Sequence, residues 1–203
     1  MSQIYFTSDT HYNHKNIVRG TTSWDIKESE RTEQRVRDFD TLEEHNATLI
    51  KNINSVVKHD DTLWHLGDWS FGGKDSIKTF RDQLECRNIH LVFGNHDQHI
   101  EPLDSPYRPL FSSVQYYKEL HVSDNGEKRR IVLLHFALRI WNKAHHGAIH
   151  LYGHSHNTIP DFGKSMDVGV DTNDLKPYSL TQILEIMRKR ETPVVDHHNK
   201  NTN

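Results

Sequence analysis

Five short stretches of this 203-residue chain carry side chains able to bind a metal or move a proton, and each follows an apolar run. They are Asp9-Thr10-His11, Gly67-Asp68, Gly94-Asn95-His96-Asp97, His135 and Gly153-His154-Ser155-His156. Asp9 and His11 stand two apart, so an extended backbone would turn both to the same side. The same pair also suits an ordinary Asx turn. Gly67 and Gly94 each separate an apolar run from polar groups, the pattern of a strand ending in a loop, where sites are built. Gly94 is expected to let the backbone turn sharply. Asn95 offers a neutral oxygen to a cation, and His96 a ligand nitrogen or a titratable proton. His154 and His156 straddle one residue on a glycine-started loop and form a chelating pair. His135, directly after Val132-Leu133-Leu134, reads by itself as a buried core histidine. The chain holds 17 histidines, and their placement at strand ends is what points to metal chemistry.

The elements that must position these groups alternate. Residues 3–8 read as the first strand, with a short helix near 15–19. Thr41-Leu42-Glu43-Glu44 is a capping box. The helix it opens carries Leu42, Leu49, Ile50, Ile53, Val56 and Val57 on one stripe. Residues 62–66 form a strand, 77–84 a short amphipathic helix and 89–93 another strand. Strand, helix, strand, helix, strand is an α/β pattern with its loops after strands. Beyond Pro102, Pro106 and Pro109, residues 114–122 and 128–134 alternate around Asp124-Asn125-Gly126 and read as a hairpin. Residues 148–152 and 166–170 are further strands. Pro177 and the capping box Ser179-Leu180-Thr181-Gln182 start a last helix. With no repeat and no long linker, residues 1–190 read as one domain and 191–203 as a polar, disordered tail. Residues 20–37 read as a surface insertion or lid, in which Arg31, Arg35 and Arg37 meet solvent or an anionic substrate.

Composition narrows the class. The formal charge is −3, which argues against extended non-specific binding to nucleic acid. Mean hydropathy is −0.80, and no apolar run approaches the roughly 20 residues of a membrane helix. The N-terminus runs straight into a strand pattern without the features of a signal peptide. The single cysteine, Cys86, reads as a small buried hydrophobe, and its solitude fits a reducing cytoplasm.

Taken in order, the five blocks resemble the signature of the calcineurin-like metallophosphoesterases: Asp-x-His, Gly-Asp, Gly-Asn-His-Asp/Glu, His and Gly-His-x-His. Phe6-Thr7-Ser8-Asp9-Thr10-His11, His65-Leu66-Gly67-Asp68 and Met166-Asp167-Val168-Gly169-Val170-Asp171 look like a subgroup of small, single-domain bacterial and phage members. The resemblance implies an α/β fold of two packed mixed β-sheets flanked by helices, an α-β-β-α sandwich. It also implies a dinuclear site in which Asp9, His11 and His156 hold one metal, Asn95, His135 and His154 the other, and Asp68 bridges them. His96 would then meet the phosphate, stabilising the pentacoordinate state or protonating the leaving oxygen, with Asp97 orienting its ring.

Ligand chemistry agrees. Mixed imidazole and carboxylate donors suit two divalent transition ions, manganese first, with iron, nickel, zinc or cobalt as alternatives, better than calcium or magnesium. Two such ions about 3.5–4 Å apart can supply a bridging hydroxide and clamp phosphate oxygens. His14, Asn16 and Arg139 are further candidates for contact with substrate. The expected activity is hydrolysis of a phosphomonoester or phosphodiester on a small, nucleotide-like molecule or a nucleic-acid end. A nuclease using the same site is the alternative, and a non-catalytic binding module on the same fold the third reading. No feature of the sequence fixes an oligomeric state.

Overall fold

The computed structural model describes residues 2–19, 37–124 and 126–192. Its first sheet sets three strands side by side and parallel: β1 (Ile4–Thr7), β2 (Thr62–His65) and β3 (Asn88–Val92). β4 (Ser113–Gln115) continues it in parallel beyond β3, and the short β9 (Tyr178–Ser179) pairs antiparallel on the far side of β1. The second sheet has the order β5 (Tyr117–Asp124), β6 (Glu127–Leu134), β7 (Ile149–Tyr152) and β8 (Ser165–Asp167). β5 and β6 are antiparallel, and β6, β7 and β8 run parallel.

Strand alternation divides the core in two. Tyr5, Leu63, Ile89 and Leu91 point away from the second sheet, against Ile53 of α1 (Leu42–Val56) and Ile77 and Phe80 of α2 (Lys74–Asp82). Their chain neighbours Phe6, Trp64 and Val92 point the other way, into a core shared with Ile131, Leu133, Ile149, Leu151 and Met166. Both faces are covered, so these strands read as nearly unbroken apolar runs. α3 (Leu180–Arg188) adds Ile183, Leu184 and Met187 to the core between the sheets. On the outer face of the second sheet, Val132 packs beneath Trp141, Ala144 and Ala148. The architecture is two mixed sheets with flanking helices.

Of the two expected capping boxes the second forms in full, and in the first the Glu44 carboxylate accepts from the Asp40 N–H instead of that of Thr41. Thr41 accepts from the Glu44 N–H, and Ser179 and Gln182 make both arms of a capping box. One expected strand divides. The stretch 114–122 is two strands in different sheets, broken at the exposed Tyr116. The Gln115 side chain donates to the Leu91 carbonyl at 2.7 Å and the Phe93 N–H donates to the Gln115 carbonyl at 2.9 Å, which tie the first piece to β3. Alternation reports which face a residue takes, and it is silent on which sheet it joins. β9, with two residues, is too short for any periodic reading. The expected insertion, apart from Arg37, and the end of the expected tail lie outside the described residues. Among the described residues no helix is long and apolar enough to cross a membrane.

Every block of the sequence signature falls at the carboxyl end of a strand. Thr7 pairs with His65 and His65 with Leu91, so the loops after β1, β2 and β3 leave the first sheet side by side. β6 and β7 end opposite them, in the second sheet, where the Gly153 N–H donates to the His135 carbonyl at 2.9 Å.

Candidate metal centre

The loops that carry the candidate ligands are bound to one another before any side chain is considered. The N–H of Asp9 donates to the Gly67 carbonyl and that of His11 to the Asp68 carbonyl, each at 3.0 Å. Two glycines are there for space. A Cβ on Gly94 would lie 2.2 Å from Asp68 Oδ1, and one on Gly153 would lie 2.3 Å from Asp9 Oδ2. The sharp turn expected at Gly94 is therefore corrected to a close approach between loops, since its φ is not in the left-handed region. That region is occupied by the candidate ligands themselves: Asp9 (φ 55°), His11 (44°), Asp68 (57°), His154 (64°) and His156 (47°). Asp9 and His11 thus converge through left-handed backbone, and not through the extended segment expected. Each such residue costs on the order of 1–3 kcal/mol and persists where its surroundings over-determine it.

Two groups of side chains come together. Asp9, His11 and His156 present one donor atom each, all within 4.8 Å of one another, and so do Asp68, His135 and His154. Asn95 joins the second group: its Oδ1 is 3.1 Å from His135 Nε2 and 2.9 Å from His154 Nδ1. Asp68 stands between the two, with Oδ2 3.6 Å from His135 Nε2 and 3.4 Å from His11 Nε2. Its other oxygen accepts from the N–H of His96 at 2.9 Å.

The donor set fits a divalent cation in each group. His135 Nδ1 donates to the Leu66 carbonyl at 2.7 Å, so in the neutral ring Nε2 carries a lone pair. That lone pair faces oxygens of Asp68 and Asn95. His156 repeats the arrangement, with Nδ1 2.7 Å from Asp171 Oδ2 and Nε2 3.8 Å from Asp9 Oδ1. Asp9 Oδ1 and both ring nitrogens of His11 are buried with no hydrogen-bond partner among the described residues. Donor atoms gathered on a buried point without partners call for positive charge. The protein alone supplies too little of it. Burial, and then the carboxylates of Asp68 and Asp167, push Asp9 up to about 8, against the lowering pull of His156 and Ser8. Burial also drives His11 well below its ordinary value, with Arg37 next in effect.

A family model described as calcineurin-like phosphoesterase matches residues 2–196. The chain belongs to that family. It is a metal-dependent phosphoesterase. An uncharacterized protein of Methanocaldococcus jannaschii, MJ1445, is 32% identical to it over 198 residues, covering 93% of each chain. The gene 66 protein of Mycobacterium phage L5 is 29% identical over 181 residues, 78% of this chain and 80% of its own. A crystal structure of a protein of unknown function from Aquifex aeolicus, AQ665, superposes with a TM-score of 0.60 at 20% identity, covering 92% of this chain and all of that one.

Around the two groups the phosphoesterase arranges its remaining candidates unequally. The His96 ring lies beside His11, centroids 5.4 Å apart, and against Phe71 at 5.3 Å. His14 is buried, with its ring 5.4 Å from His11 and stacked on Phe71 at 3.9 Å. Asn16 is exposed on the one-turn 3-10 helix Lys15–Ile17, and Arg139 is exposed on the loop after His135. Asp97 does not orient His96. Its buried carboxylate accepts from the N–H groups of Gly94 (2.8 Å), Asp68 (2.9 Å) and Trp69 (3.0 Å), stapling the loops after β2 and β3 together. Burial lifts it to about 6 even against those three donors.

Two residues of the site were not foreseen. Arg37, expected on a surface, is fully buried beneath the first group. Its guanidinium forks onto Asp171 at 2.6 and 2.9 Å and donates to the carbonyls of Asp9 and Thr10. Asp171 is thereby held well below the usual carboxylate range: burial raises it, and Arg37 and His156 outweigh that. Burial likewise lowers His156, and Asp171 and Asp9 more than reverse it. Asp171 stood in plain view in the stretch Met166–Asp171. Arg37 carried no signal, because a polar run looks solvated whether or not one member turns inward.

Proposed function

We propose that this phosphoesterase works with two divalent transition ions, manganese first among them. Asp9, His11 and His156 would hold one, Asn95, His135 and His154 the other, with Asp68 between them. The observation that carries this reading is the position of Asp68, within 3.6 Å of a histidine from each group. When bound, such a pair acidifies a water and neutralises the oxygens of a phosphate. The chain's own residues do the rest. Asp68 fixes the backbone of His96 through Oδ1, so one residue sets both the metals and the proton donor. His96 faces the phosphate and delivers a proton to the leaving oxygen. Asp97 keeps the two loops in register from below.

The substrate we infer is a small phosphoester, a nucleotide or a nucleic-acid end. Nuclease action on long polymers is less well supported. The basic cluster Lys128, Arg129, Arg130 and Lys143 lines a groove at the start of β6, whereas His135 follows the end of that strand. Arg129 and Arg130 are moreover paired with Asp124, Glu127 and Glu119. We place the enzyme in a reducing cytoplasm on the strength of its single, buried thiol. The test is turnover of mono- and bis-(p-nitrophenyl) phosphate with manganese, nickel, zinc or magnesium, beside His96→Ala. Turnover and two ions per chain are expected, with His96→Ala slowed by about 10²–10⁴-fold. No turnover with any ion, and none bound by elemental analysis, would sink the reading.

A further inference from the structure

A cavity of about 240 Å³ opens next to His96 and is no part of either ligand group. Phe71, Gly72 and Gly73 form one wall, the buried Ile77 and Ile100 lie at its base, and Gln98 stands at the rim. The Phe71 ring is fixed in place by two histidines of the site. His14 is stacked on one face, with 21° between the planes, and His96 meets it at 69°. It is nonetheless 39% exposed, which is unusual for a phenylalanine with so much aromatic company. Beyond it the wall thins to two glycines. A Cβ on Gly73 would meet no atom within 4 Å, so the space beside the ring is open. Gln98 is exposed, and its amide makes no hydrogen bond with a described residue, which leaves a donor and an acceptor at the mouth.

A flat aromatic face, an apolar base and a free amide at the edge suit a planar ring with polar edges. A bare sugar would leave the ring surface wet, and an alkyl chain would leave the amide unused. We infer that this cavity is the leaving-group subsite, and that it takes a nucleobase carried on the alcohol of the ester. The assignment rests on the phosphoesterase reading above, because it is His96, shared by cavity and site, that puts the leaving oxygen at the cavity's mouth. Phe71 is the specificity residue: it stacks on the base, while His14 behind it keeps the ring from turning away.

The cavity is built from protein alone, so the freed alcohol should bind without metal. The test titrates adenosine, with ribose as control, into the metal-free full-length protein by calorimetry, and measures both as inhibitors of bis-(p-nitrophenyl) phosphate turnover with manganese. Phe71→Ala and Phe71→Leu are compared with the parent, the second keeping apolar bulk without an aromatic face. Adenosine is expected to bind and to inhibit, ribose to do neither, and both variants to weaken adenosine roughly tenfold or more. An unchanged thermal midpoint in Phe71→Leu shows that the loss is local. Turnover with adenosine and ribose equally inert, or adenosine binding indifferent to Phe71, overturns the subsite and leaves the hydrolase standing. Absence of turnover with every ion overturns the hydrolase and the leaving-group assignment with it.

Discussion

The two ligand groups have the same chemistry and unequal support. In the first, Asp9 and His11 are fully enclosed, and His156 leans on Asp171, which leans on Arg37. That guanidinium also holds the carbonyls of Asp9 and Thr10, so a single buried cation braces two left-handed loops. In the second group His135 leans on a neutral backbone carbonyl, and His154 and Asn95 reach it from more open positions. A carboxylate behind a ligating imidazole raises its basicity more than a carbonyl does. For the two ions proposed above, the difference predicts tighter holding in the first group than in the second.

The largest effect should come from Asp68, which stands between the groups and is proposed to serve both. Asp68→Ala removes a carboxylate from both and frees the backbone of His96, so kcat/KM should fall by on the order of 10³-fold or more. Elemental analysis should then find fewer than two ions per chain, and two retained ions would break the bridging assignment. Next come the variants that separate the groups. Titration of the loaded enzyme with a chelator should release metal in two phases. His154→Ala should abolish the easy phase and His156→Ala the stubborn one. A single phase in the parent protein would mean that the unequal bracing has no consequence. Smaller again is Asp171→Asn, which keeps the shape and removes the charge behind His156. It should weaken the tighter ion by about 10–100-fold and leave the other unmoved. Equal weakening of both would show that Asp171 supports the fold as a whole.

The candidate ligands on both sides of this comparison were legible in the chain, and their bracing was not. A single polar residue at a strand end says little, since Asp9 and His11 also suit an Asx turn and His135 alone reads as a core histidine; five such strand ends in one chain, in the order of a known signature, say much more. The structure brings Asp9, His11 and His156 into one group and Asp68, His135 and His154 into another, with Asn95 beside the second. Most strands were legible as apolar runs of a few residues, whereas their division between two sheets was not, as the split of 114–122 shows. What stayed hidden depends on direction. The backbone at Asp9 and His11 turns left-handed, and no residue type there requires it. Gly94 looks like a turn and serves as a gap. Asp97 looks like a partner for its neighbour, yet its carboxylate meets three N–H groups, two of them on another loop. Arg37 pairs with Asp171, 134 residues away, a pairing that no local pattern can encode.

Beneath each half of the site a buried neutral histidine staples a loop, and these give the smallest effect. His65 accepts the Gly67 N–H at Nδ1 and meets Thr10 Oγ1 at Nε2, 2.9 Å away, under the first group. His150 donates from Nδ1 to the Val132 carbonyl and accepts the Leu138 N–H at Nε2, behind the loop that follows His135. Burial lowers His65 to about 3 and His150 to about 4, from an ordinary value of 6.5. In both the folded state refuses a proton that the unfolded chain accepts. Stability is therefore full above about pH 6.5 and declines as the pH falls toward the folded values. Between pH 7 and pH 6 each histidine should cost the metal-free protein about 0.7 kcal/mol, read from urea unfolding at the two pH values. His150→Gln keeps an amide donor and acceptor and cannot titrate. The same pH step should then cost that variant about 0.7 kcal/mol less than the parent, and an undiminished step would mean that His150 is not the neutral staple its two hydrogen bonds describe.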